Sequence, residues 1–171
     1  VGGTATSLYM PIRTTKDVDI LVAEDDVPAV EAALKRKGAV PLGPLRISNP
    51  LHVKGSSWRL SDGSELDVLT SSGSWVGDAL AQPNRDDAGF PIVSLPYLVL
   101  MKLASGRGID VADVSRMLGA ADDAAVQKVR EVVRQYLPDA VDDLDSLAAL
   151  GRLEYQDEQP PSDSAGGSNT P

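Results

Sequence analysis

Residues 1–26 read VGGTATSLYMPIRTTKDVDILVAEDD, and the fold turns on how they are read. Asp17-Val18-Asp19-Ile20 alternate acidic and aliphatic residues, and alternation at a period of two marks a half-buried strand, here over Val18 to Ala23. Val18, Ile20 and Val22 are expected on its core face. Asp17 and Asp19, two residues apart, then share the other face, about 6–7 Å from each other. Residues 4–10 read as a short helix stopped by Pro11, with Gly2-Gly3 at its entrance. Thirteen residues lie between Gly3 and Asp17, room for one helix and a return to the sheet. With Val1 hard against the glycine pair and no Met, a further helix or strand is expected upstream.

Downstream, Asp25 or Asp26 caps a helix running to about 37, with Val30, Ala33 and Leu34 on one face and Gly38 as its stop. Residues 41–50, broken by Gly and Pro, read as short extended pieces. Residues 51–69 read as antiparallel strands turned at Asp62-Gly63. Residues 70–90 read as loop with one helical turn near 75–80, and 91–93 as a short strand. Ser94 caps a helix with Pro96 in its first turn, apolar on nearly every side except at Lys102. Asp110 is expected to cap a short helix to 118. Asp122 starts an amphipathic one through Val126, Val129, Val133 and Tyr136, and a last helix runs from 138 to about 153.

The expected fold class is α+β, a small mixed β-sheet with helices packed on one face, followed by a helical C-terminal part. Residues 1–93 form the core that would carry the site, 94–155 the helical part of the same domain, and 156–171 a disordered polar tail. Trp58 and Trp75 read as packing groups, His52 as an ordinary strand residue, and Asp142, Asp143 and Asp145 as a solvated helix face.

The 171 residues carry 25 acidic and 16 basic side chains, a formal net charge of −9, which opposes standing residence on nucleic acid. It leaves room for a transient RNA substrate held by a local basic patch. With no Cys and one His, thiol chemistry, zinc–thiolate sites and histidine-rich metal sites are excluded. No apolar run approaches the ~20 residues of a membrane span, and no signal peptide is visible, so a cytoplasmic location is expected.

Asp67, inside Leu66-Asp67-Val68, lies on another predicted strand. If that strand neighbours the first, about 4.8 Å away, Asp17, Asp19 and Asp67 converge. Three like charges that close repel unless a cation neutralises them, and oxygen-only ligation favours Mg²⁺ or Mn²⁺. Such ions suit in-line phosphoryl or nucleotidyl displacement. Backbone N–H groups at Gly2 and Gly3 can approach a triphosphate closely, and Arg13 or Lys16 adds positive charge beside it.

These residues, GG, then thirteen residues, then DVDI, then a later LDVL, resemble the nucleotidyltransferase superfamily of the DNA polymerase beta type. The longer string GGTATSLYMPIRTTKDVDILV is similar to its minimal, AbiEii-like branch, in which Arg-x-Thr-x-Asp-x-Asp is typical. LPYLVLMKLASGRGIDVADVSRML is similar to the helical segment of that branch, although Gly108-Ile109 stands where relatives often carry a charged pair. The resemblance spans roughly residues 1–118. It implies a metal-dependent enzyme that moves a nucleoside monophosphate from an NTP to a hydroxyl acceptor on RNA or tRNA, a protein or a small molecule, with a toxin–antitoxin pair as the implied setting. It implies that Asp17, Asp19 and Asp67 bind the metals and that Asp67 helps deprotonate the acceptor. It also implies that Gly2 and Gly3 hold the triphosphate, that Lys102 reaches the phosphates, and that Asp113 or Asp110 shapes the nucleotide or acceptor pocket.

Two other readings compete. Residues 20–39 also resemble the start of a response-regulator receiver, with the acidic pair Asp25-Asp26 and Asp67 as phospho-acceptor. Against it, Asp67 follows a hairpin and Lys102 lies inside an apolar helix, where a receiver has a parallel βαβ array. A catalytically silent partner protein of the same fold is the remaining alternative.

Overall fold

A computed structural model describes residues 1–10, 17–45 and 47–157. The chain folds as a mixed α+β structure built on a four-stranded sheet. Helix α1 (Gly2–Thr6) precedes strand β1 (Asp17–Leu21). A 3₁₀ turn at Glu24–Asp26 leads into α2 (Val27–Arg36), which ends where Gly38 takes φ +81°. Strands β2 (Val40–Pro44), β3 (Lys54–Arg59) and β4 (Glu65–Thr70) follow, with α3 (Trp75–Ala81) and a small ribbon of β5 (Asn84–Arg85) and β6 (Pro91–Ile92). Four helices complete the fold: α4 (Leu95–Ser105), α5 (Gly108–Ala120), α6 (Asp123–Tyr136) and α7 (Val141–Asp157).

The strand order is β1-β4-β3-β2. The β3–β4 hairpin turns at Gly63, whose φ of +87° suits a residue without a Cβ, and Asp62 accepts from the Ser64 N–H. β4 is antiparallel to β3 but parallel to β1, so the sheet is mixed. Strand alternation sends Asp19 and Leu21 of β1, and Asp67 and Leu69 of β4, to one face, and Ile20, Leu66 and Val68 to the other.

Each face has its own core. The larger cluster takes Ala5, Leu69 and Trp75 together with Leu98, Val99 and Leu100 of α4 and Val114, Val129 and Leu144 of the later helices. The smaller one joins Trp58, Val68, Ile20, Leu66 and Ala39 to Val30 and Leu34 of α2. Helices therefore cover both faces, not one, because α2 needs an apolar surface for Val30 and Leu34 and finds it beneath the sheet. Val18 is also not in the core: it is 43% exposed, since β1 is the edge strand and α2 reaches only its later residues.

Other expectations shift in detail. α1 starts at the glycines, and α3 is a full helix whose Trp75 is 2% exposed. Trp58 is equally buried and donates its indole N–H to Ser56 Oγ at 2.9 Å. His52 is not a strand residue: it precedes β3, is exposed and has φ +52°. Asp122 caps α6 as expected, accepting from Ala125 N at 2.7 Å. Asp145 is not simply solvated, since it pairs with Arg130. α7 runs two residues into the stretch read as tail, and 158–171 lie outside the described residues.

The α5–α7 crossing is close enough to exclude side chains. A Cβ on Gly151 would stand 1.9 Å from the Ser115 carbonyl oxygen, and one on Gly119 2.4 Å from the Gly151 carbonyl oxygen. Two glycines let the backbones meet, which fixes α5 in place behind the site. No helix among the described residues is long and apolar enough to cross a membrane.

Candidate active site

The parallel pairing of β1 with β4 sets Asp19 directly opposite Asp67, and Asp17 opposite Glu65. Partners in such a ladder lie about 4.8 Å apart. Both Asp19 and Asp67 are half-buried and point to the face that carries α1 and α4. The backbone of Asp17 is in register with them, although its side chain is not among those described. Arg13 and Lys16 lie outside the described residues altogether.

Gly2 packs against this pair. It has φ +69°, and a Cβ there would fall 1.7 Å from Asp19 Oδ2 and 2.5 Å from its Cγ. The position excludes a side chain on two independent grounds, conformation and space. The Val1 nitrogen donates to the Asp19 backbone carbonyl at 3.0 Å, which ties the entrance of α1 to β1.

Lys102 closes the third side. α4 is buried along most of its length, and Lys102 itself is 5% exposed. Its charge is met inside the fold. Its Nζ donates to Asp110 Oδ1 and to Asp113 Oδ2, both at 2.7 Å. The path between them is short because Gly106 takes a left-handed φ of +64° and turns the chain straight from α4 into α5. Asp110 and Asp113, three apart, then face α4 together. Asp110 is not the N-cap of α5, a place held by Arg107. It sits inside the first turn, where its Oδ2 accepts from Ser105 Oγ and from Arg107 Nε at 2.6 Å.

Burial is the largest single influence on Asp110 and pushes its carboxyl up. The hydrogen bonds from Lys102, Ser105 and Arg107 together outweigh it and leave the group below the usual carboxylate range. The bond to Asp110 in turn raises Arg107. A buried ammonium between two carboxylates is sustained only because each partner is hydrogen-bonded.

One cavity of about 620 Å³ gathers these groups: Gly2, Gly3, Asp19, Asp67, Lys102 and Asp110 all line it. Asp113 does not reach the wall and acts from beneath, through Lys102. Ser105 and Arg107 belong to the site although sequence reasoning does not single them out. The signal for them is a Ser-Gly-Arg-Gly turn directly after a lysine that needs partners. Among the described residues no cluster of three or more His, Cys, Asp or Glu side chains could hold a metal ion. Asp19 and Asp67 offer a hard, oxygen-only donor pair in a partly exposed pocket, the donor type that hard divalent cations such as Mg²⁺ or Mn²⁺ take. No family model and no curated protein matches the chain.

Proposed function

We propose that this pocket binds a nucleoside triphosphate and transfers its nucleoside monophosphate to a hydroxyl acceptor, releasing pyrophosphate. The observation that carries the reading is the Asp19–Asp67 register beneath the side-chain-free backbone of Gly2, in one cavity with Lys102. A glycine entrance to α1, packed on Asp19, leaves backbone N–H groups free of side-chain cover beside the acids, which suits close approach by a phosphate chain.

In this reading the α1 backbone at Gly2 and Gly3 holds the triphosphate. Lys102 stands by the phosphates, held in place by Asp110 and Asp113. Asp17, Asp19 and Asp67 would hold the divalent cation, which supplies charge neutralisation for the triphosphate and the departing pyrophosphate. The acceptor oxygen attacks the α-phosphorus, the bond to the β-phosphate bridging oxygen breaks, and Asp67 takes the hydroxyl proton. The acceptor is an RNA such as tRNA, a partner protein or a small molecule, and a cognate antitoxin or toxin is the partner this reading implies.

One observation favours a silent scaffold instead. The Lys102 charge is already matched by two carboxylates, so its role could be wholly structural. Incubation with each α-³²P-labelled NTP, Mg²⁺ or Mn²⁺, total RNA and cell extract decides between them. Label should move to an acceptor, and Asp19→Asn should cut transfer by a factor on the order of 100 or more, as expected when a group acting on the reacting phosphate is lost. Transfer by Asp19→Asn at the wild-type rate, or none by the wild type, defeats the assignment.

A further inference from the structure

The cavity has a second half that the transfer chemistry leaves unused. Beyond Asp19, Asp67 and Lys102 part of its wall is an apolar stretch, formed by Leu45 and Val53 from the sheet side and Leu98 and Met101 from α4. At its lip stand two isoleucines open to water. Ile47, in the connection between β2 and β3, is 40% exposed, and Ile109, the second residue of α5, is 52% exposed. One comes from each side of the cavity. Ile109 also occupies the turn that positions Lys102 and Asp110, so it is fixed relative to the polar end.

From this arrangement we infer that Ile47 and Ile109 form an apolar clamp for the base of the bound nucleotide, which is held by its faces and not read by its edges. The inference rests on the proposed triphosphate site, because that site fixes which end of the ligand points to the isoleucines. The cavity volume lies within the ordinary range for a site that encloses most of a small ligand. The polar side chains nearby are committed elsewhere in part or open to water, as Ser48 and the outer guanidinium of Arg107 are. Asn49 uses its carbonyl oxygen to accept from the N–H groups of Leu51 and Val53, at 3.0 and 3.3 Å, which shapes the loop that carries Ile47. Arg107 commits Nε, and Ser105 its hydroxyl, to Asp110. A wall of that kind discriminates poorly between bases, since strong selection needs buried hydrogen-bonding groups that a wrong base would leave unpaired.

Isothermal titration calorimetry with Mg²⁺, comparing ATP, GTP, CTP and UTP with inorganic tripolyphosphate, tests the clamp. The wild type should bind all four NTPs within about tenfold of one another and more tightly than tripolyphosphate. Ile47→Ser and Ile109→Ser alter exposed side chains, so melting curves should match the wild type. Each should weaken ATP by a factor on the order of five to ten, because less apolar surface covers the base, and leave tripolyphosphate unchanged. If tripolyphosphate binds as tightly as ATP, or both variants bind ATP like the wild type, or one base is preferred by about a hundredfold, the clamp is wrong while the triphosphate site stands. If neither ATP nor tripolyphosphate binds, both fall together.

Discussion

Replacing Lys102 by Met removes the buried ammonium that bonds both Asp110 and Asp113. Methionine fills nearly the same volume, so packing along α4 is kept and the effect is electrostatic. Both carboxylates are 1% exposed, and without the ammonium they remain buried and lose a bond each, Asp110 keeping those from Ser105 and Arg107. Breaking a buried pair by deleting one partner costs about 3–5 kcal/mol. In a chain of this length that lowers Tm by roughly 6–20 °C. The pH dependence carries the sharper signature. In the wild type, Asp110 titrates below its ordinary value, so its contribution is present above the unfolded-state pKa and is lost as pH falls through the folded one. In Lys102→Met, Asp110 loses one of the hydrogen bonds that offset its burial, so its carboxyl is depressed less and contributes less stability at neutral pH. The two curves should therefore converge on acidification from neutral pH towards the ordinary carboxylate pKa. Urea melts of both proteins at half-unit pH steps measure this directly. A deficit under about 1 kcal/mol at pH 7, or one that does not shrink in acid, would refute a lysine sustained by two ionised carboxylates.

The other predictions concern space. Gly2→Ala puts a methyl group into the volume of Asp19 and forces alanine into a left-handed conformation that costs roughly 1–2 kcal/mol. NTP affinity by calorimetry should fall on the order of tenfold or more with only a small loss of Tm, and unchanged affinity would remove Gly2 from the site. Gly151→Ala pushes α7 away from the Ser115 carbonyl and should destabilise by about 2–3 kcal/mol, read by calorimetric melting. A melting point equal to wild type would show that the crossing has slack.

The hairpin of β3 and β4 is legible in the sequence because its signal is local, an Asp-Gly turn between alternating runs. The pairing of β1 with β4 has no such signal. The expectation that Asp19 meets Asp67 rests on three acids needing a common cation, and the strands do adjoin. Burial of Val18 is misread because alternation reports which residues share a face, not which part of that face a helix covers. The lysine in an apolar helix announces an electrostatic problem but not its solution. Asp110 and Asp113 stand out separately, as a cap and as a pocket residue, while helix spacing alone places both on one side of α5. The isoleucines at the lip are invisible as a pair, since exposure is a property of the folded surface.

The parallel pairing of β1 with β4 also bears on how the site comes into being. A hairpin closes within its own few residues, but these two strands are separated along the chain by α2, β2 and β3. Closing so long a loop costs entropy in advance of any contact it rewards, and here the meeting point brings like charges together as well. A segment holding one acid has no short route to the other. The geometry of the acid pair thus hangs on one long-range strand pairing, and no local turn supplies it.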